Sequence, residues 1–205
     1  MAWYDVVIAF DTETTGLKSD AEIVELGVVH YYKGKKVREW SSFFCPRFAD
    51  RNNPDVQKAM QVNGIDWDKL LTHAPTFRKM AEAVEAEMSE AVWVAHNADF
   101  DVRMLRQEFA RLERPMAFQP ELVLCTKNLD FVLSPGQAGY KLENVAKRWG
   151  VVQDGAHRAI VDAQACGDVL AKMIESGKLP EDPLQAQTLV KEGDAKWRSR
   201  PKGVW

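Results

Sequence analysis

The chain has 205 residues, 46% of them hydrophobic, and carries a formal net charge of -3. That length and apolar content suffice for one well-filled core and demand no second domain. The acidic balance excludes a protein that coats nucleic acid by bulk electrostatics, but not one that binds it in a cation-loaded cleft.

Cys45, Cys125 and Cys166 are odd in number, far apart and never in a CxxC arrangement. Neither a disulfide framework nor a zinc site is indicated, and a reducing cytoplasm is the expected location. Residues 1–10 lack a basic start and carry Asp5 within a short apolar stretch, and no segment offers about 18 uncharged apolar residues. Neither secretion nor membrane insertion is expected.

In chain order, the apolar run at residues 6–10 leads into Asp11 and Glu13. A strand this apolar reads as central in a sheet, and a spacing of two puts both carboxylates on one face. Their mutual repulsion calls for a cation. Thr14, Thr15 and Gly16 signal a turn, and residues 23–32 a second strand interrupted by Glu25 and Gly27. A polar turn at residues 33–36 precedes a third strand at residues 37–45, so the second and third strands form a hairpin. Pro54, Gly64 and Pro75 then punctuate short helical pieces. Phe77, Met80, Ala81, Val84 and Met88 recur at helical spacing ahead of a fourth strand at residues 92–95.

Val102, Leu105, Phe109 and Leu112 mark the next helix, which places Asp101 at its start, and Asp99 reads as its N-cap. A fifth strand is expected at residues 122–126, then a loop at Pro135 and Gly136 and a short helix carrying Leu142, Val145, Ala146 and Trp149. The last clear helix holds Ala163, Cys166, Leu170 and Met173 on one stripe, with Asp162 in its first turn. Strands first, then strands alternating with helices, point to an α/β fold with a mixed sheet. The domain is expected at residues 1–176, with residues 177–205 a partly extended tail. Lys191, Lys196, Arg198, Arg200 and Lys202 in that tail either steer a phosphate backbone or merely solubilise the end.

Asp11, Glu13, Asp101 and Asp162 thus all fall at element termini, where α/β sheets build their ligand sites. All-oxygen ligation favours Mg²⁺ or Mn²⁺ over zinc. Two such ions about 4 Å apart suit in-line phosphodiester hydrolysis. A neutral imidazole at His157, in the loop before Asp162, is the candidate base for water. Glu25, interrupting an apolar strand, reads as a carboxylate paired within the structure. His30, His73 and His96 read as structural, and Trp40, Trp93 and Trp149 as core.

These residues resemble the DEDD exonucleases, in the subgroup with a catalytic histidine that works from the 3′ end. The motifs are Phe10, Asp11, Thr12, Glu13, Thr14, Thr15, Gly16, Leu17; then Val94 through His96, Asn97, Phe100 and Asp101; then His157, Arg158, Ala159 and Asp162. The resemblance implies a ribonuclease H-like mixed five-stranded sheet flanked by helices. It implies that Asp11 bridges two ions, that Glu13 and Asp162 complete the first, that Asp101 holds the second, and that His157 deprotonates the water. Thr12, Thr15, Gly16, Leu17 and Phe100 would hold the terminal nucleotide. Asn63 stands where related sequences often have histidine, which bears on a substrate contact rather than the metals. The implied partner is a DNA 3′ end, frayed or single-stranded, with a DNA polymerase as a further partner. The alternatives are an RNA 3′ trimmer and a non-catalytic polymerase-associated adaptor on the same fold.

Overall fold

The structure, a computed structural model, describes residues 4–88, 91–113, 116, 119–155 and 157–200. Strands β1 (Val6–Thr14), β2 (Ile23–Tyr32), β3 (Lys35–Phe43), β4 (Val92–Ala95) and β5 (Leu122–Cys125) form one sheet in the order β3-β2-β1-β4-β5. The β1–β2 and β2–β3 pairs are antiparallel, and β1–β4 and β4–β5 are parallel. The architecture is the mixed five-stranded sheet of a ribonuclease H-like fold, with β1 central as its apolar run requires. Helices α1 (Pro54–Asn63), α2 (Trp67–His73), α3 (Phe77–Glu87), α4 (Ala98–Arg111), α5 (Thr126–Leu133), α6 (Leu142–Arg148), α7 (Ala159–Glu175) and α8 (Pro183–Ser199) flank it.

Alternation along β1 sorts its side chains into two cores. Ile8 and Phe10 pack with Trp93, Val102, Leu105 and Phe109 on one face. Val7 and Ala9 pack with Ala163, Val169 and Leu170 of α7 on the other. Burial on both faces explains the unbroken apolar run. The same alternation decides where the acids point: Asp11 and Glu13 continue the Val7/Ala9 row, towards the face α7 covers, while Thr12 points towards α4. The β2–β3 hairpin closes through Lys33 and Gly34, both at positive φ (50° and 72°), as a two-residue turn of this hand requires. β3 lies at the sheet edge and is mostly exposed.

Helix α7 reaches the sheet because Gly27 has no side chain. A Cβ there would lie 2.3 Å from the backbone of Ala159 and Ile160, and Gly27 is the β2 residue opposite Asp11. The missing side chain therefore brings the first turn of α7, and Asp162 with it, down beside the acids of β1.

Beyond a two-residue shift of β3, which runs over Lys35–Phe43 rather than 37–45, two segments differ from the sequence reading. Thr126–Leu133 is helical, a short element with no long periodic stripe. Residues 183–199 form helix α8 rather than extended tail. Asp182 caps α8, its side chain accepting from Leu184 N–H at 2.8 Å, and Pro183 opens the first turn. Its inner stripe combines Leu189 and Val190 with small residues at its closest approaches, which weakened the period. Ala186 is fully buried, and Gly193 lets Asn128 of α5 approach until a Cβ would meet its carbonyl oxygen at 2.2 Å. Lys202 lies outside the described residues. Among those residues, no helix is long and apolar enough to cross a membrane.

Gly27→Ala should destabilise the chain by about 1–3 kcal/mol, the usual range for overpacking, read as a lower thermal midpoint. Gly16→Ala, whose Cβ would meet nothing closer than Ala21 at 3.8 Å, should leave the midpoint nearly unchanged. Equal midpoints for the two variants would contradict the close approach of α7.

Candidate active site

Three remote stretches deliver the acids to one place. β1 supplies Asp11 and Glu13 at its C-terminal end. β4 runs parallel to β1 and ends at Ala95. The chain then turns through Asn97 at φ 69°, and α4 begins with Asp101 in its first turn. Asn97 occupies the N-cap position, so Asp99 is not the cap; it stays exposed, with Arg198 of α8 3.7 Å away. Asp162 sits in the first turn of α7.

Neutral donors hold two of these carboxylates, Asp101 and Asp162. Thr12 donates to Asp101 Oδ1 from its backbone N–H (3.1 Å) and its hydroxyl (2.7 Å). Asp162 accepts from Gln153 Nε2 at 2.5 Å and from the His157 backbone N–H at 3.3 Å. His157 is exposed, at φ 68°. Ligand atoms of Glu13, His157 and Asp162 all lie within 4.8 Å of one another. Glu25, directly opposite Glu13 in the β1–β2 ladder, is 1% exposed and receives the Arg158 guanidinium through Nε (3.1 Å) and a terminal nitrogen (3.0 Å). It is the internally paired carboxylate the sequence suggested.

The cluster is electrostatically strained. Burial first, then repulsion from Asp101, Asp162, Glu13 and Glu25, holds Asp11 well above the usual carboxylate range. Burial and the neighbouring acids push Glu13 up to about 7, against a small opposing pull from Arg158. Burial raises Asp101 to about 7 despite the Thr12 donors, and raises Asp162 despite Gln153 and His157. Among the described residues, no lysine or arginine forms an ion pair with Asp11, Glu13, Asp101 or Asp162. Carboxylate oxygens gathered in this way, without a protein cation, are chemically suited to a hard divalent metal.

Beside the acids lies a cavity of about 650 Å³ lined by Glu13, Thr14, Thr15, Gly16, Leu17 and Asn63, among others. The expected nucleotide contacts divide here. Gly16 and the 78% exposed Leu17 face it freely. The Thr15 hydroxyl accepts from Glu22 N–H at 2.9 Å, so its side chain shapes the loop. Asn63 is buried and donates to the Thr14 carbonyl at 3.4 Å, fastening α1 to the end of β1. Phe100 is half-buried against the core, with Arg103 stacked 5.1 Å from its ring. Gln153 was not anticipated, because a lone loop glutamine carries no spacing signal. His30, His73 and His96 each bond within the fold.

A family model described as exonuclease matches residues 8–170, a span holding every acid of the cluster. The chain belongs to that exonuclease family. It is 34% identical over 170 residues to the DNA polymerase III subunit epsilon of Treponema pallidum, covering 81% of this chain and 75% of that protein. It is 32% identical over 200 residues to a PolC-type DNA polymerase III of Oceanobacillus iheyensis, covering 96% of this chain but only 13% of that much longer protein. The solved structure of exonuclease X in complex with 5′ overhanging duplex DNA superposes with a TM-score of 0.67 at 25% identity, covering 90% of this chain and 99% of that one.

The raised carboxylates set a pH dependence for the metal-free exonuclease. Their folded-state values lie above the unfolded ones, so the native state binds more protons and gains stability as pH falls through about 7. In EDTA the thermal midpoint should therefore be higher at pH 6 than at pH 8. Saturating Mg²⁺ or Mn²⁺ should raise the midpoint more at pH 8, where protons no longer compete for the oxygens. A metal-induced shift that is larger at pH 6 would contradict this electrostatic account.

Proposed function

We propose that this exonuclease is a metal-dependent 3′–5′ exodeoxyribonuclease that hydrolyses the terminal phosphodiester of single-stranded or frayed DNA and releases 5′-mononucleotides. One observation carries the reading: Asp11, Glu13, Asp101 and Asp162 converge with the exposed His157 beside a cavity of about 650 Å³. Relatives named as DNA polymerase III proteins and the exonuclease X complex with DNA favour DNA over RNA, and we extend to this chain a DNA polymerase as an assembly partner.

Asp11, Glu13, Asp101 and Asp162 would hold two Mg²⁺ or Mn²⁺ ions. Such ions stabilise the charge that develops on the attacking and leaving oxygens of an in-line displacement. The rest falls to side chains of this protein. His157, solvent-exposed next to Glu13 and Asp162, accepts a proton from the attacking water at a ring nitrogen, which requires the neutral imidazole. Thr12 keeps Asp101 in one rotamer, and Gln153 does the same for Asp162. Gly16 and Leu17 close over the terminal nucleoside, and Asn63 fixes the far wall of the cavity. Unstacking a paired end to enter such a cavity costs a few kcal/mol, so frayed and single-stranded ends should be cleaved fastest.

A 5′-labelled single strand incubated with Mg²⁺ or Mn²⁺ should shorten one nucleotide at a time from its 3′ end, and EDTA should stop the reaction. Undiminished cleavage in EDTA would end the metal-dependent reading. His157→Ala should lower kcat by about 10²–10⁴-fold, the usual contribution of a positioned base, with little change in the thermal midpoint. A His157→Ala variant that retains full turnover would remove that residue as the base.

A further inference from the structure

A second concavity, about 830 Å³, opens on the other side of the acidic row, lined by Ser41, Phe43, Ile65, Lys69, His73 and Arg158, among others. The C-terminus of α1 divides the two spaces: Asn63 lines the nucleoside cavity, and the next residue, Gly64, lines this groove. The sheet joins them. Glu13 is opposite Glu25, and Glu25 is opposite Phe43, so the three side chains form one row across β1, β2 and β3. With strands about 4.8 Å apart, Phe43 stands about 10 Å from Glu13.

We infer that this groove binds the single strand immediately upstream of the scissile phosphate. The inference rests on the exonuclease reading above and names where the rest of that substrate lies. Three features select a nucleic-acid strand. Phe43 is 37% exposed at the sheet edge and carries the Arg158 guanidinium 5.2 Å from its ring centroid, a platform on which a base stacks whatever its identity. Lys69 is exposed on the wall and faces a phosphate backbone with the complementary charge. The acid on that wall, Asp66, is engaged in capping α2, its carboxylate accepting from the Lys69 backbone N–H at 3.1 Å. Continuity selects this strand over any other occupant: Arg158 lines the groove, follows His157 in the chain and binds Glu25 in the acidic row. A strand whose last nucleoside fills one space and whose scissile phosphate meets the acids enters this groove next.

The test uses the full chain with Phe43→Ala and Lys69→Glu, and two measurements. Fluorescence anisotropy of a 5′-labelled dT12 in EDTA, over a KCl series, reads strand binding without cleavage. Hydrolysis of the p-nitrophenyl ester of thymidine 5′-monophosphate with Mn²⁺ reads the acidic centre alone, because that ester has no upstream nucleotide. Phe43→Ala should weaken dT12 binding by roughly 5- to 100-fold through lost stacking. Lys69→Glu should also weaken it and flatten the slope of log K against log salt by about 0.7 or more. Ester turnover should not follow either loss. If both variants bind dT12 as the unaltered chain does, the groove serves another partner and the inference falls. It falls too if ester turnover drops in step with binding, since the residues then act through the acidic centre. An unaltered chain that leaves the ester intact would instead overturn the exonuclease reading, while the binding series still decides the groove. Should either variant melt early, Phe43→Leu and Lys69→Gln repeat the comparison.

Discussion

Like charges forced together under a low dielectric are the constraint from which the rest of this architecture follows. Asp11 alone feels Asp101, Asp162, Glu13 and Glu25, and no flexible surface could hold such a set. The fold holds it by making the support stiff. β1 lies between two cores, so its end cannot drift without repacking both. Gly27 admits the first turn of α7 to the sheet, and Thr12, Gln153 and the His157 amide fix the carboxylates with uncharged donors. A lysine or arginine in their place would neutralise the repulsion and leave a metal nothing to compensate. The Arg158 guanidinium nearby is turned to Glu25.

Under the proposed function, that arrangement also reconciles an acidic chain with a polyanionic substrate. The negative potential is concentrated at a few oxygens that divalent ions would offset. Lys69 lies along the neighbouring groove, and Arg158 lines that groove with its charge taken up by Glu25. Recognition by a loaded centre and local cations needs no excess of positive charge over the whole surface, and a formal net charge of -3 fits it.

The sheet and the acids were legible in the sequence for physical reasons. An apolar run ending in a two-residue acid spacing reads as a central strand with both carboxylates on one face, and the structure has β1 in that place. Asp101 and Asp162 could be set at helix starts because the apolar stripes behind them are long and periodic. Placing all four acids in one cleft needed the ordered motifs as well, since spacing says nothing about residues 90 apart. Helix α8 was not read from the sequence: its apolar contacts are few, Leu189, Val190 and Trp197, and the positions where it comes closest to the rest of the fold are Ala186 and Gly193, too small to signal a face. Gln153 was invisible for a similar reason, its importance arising only once Asp162 is brought beside it. Asp99 looked like a cap by composition, but the left-handed turn at Asn97 moved the helix start upstream.

The exposed edge of the sheet has a consequence for how the molecule behaves in a crowded solution. β3 leaves one row of backbone donors and acceptors open, the kind of border along which two sheets fuse into aggregates. Its first half carries Lys35, Lys36, Arg38 and Glu39, a dense run of charge that discourages a second chain from zipping on. Protection thins towards Ser41, Ser42 and Phe43, where hydroxyls and an aromatic ring replace the ions. One short strand thereby combines a guarded half, which keeps copies apart, with a less guarded half beside the groove.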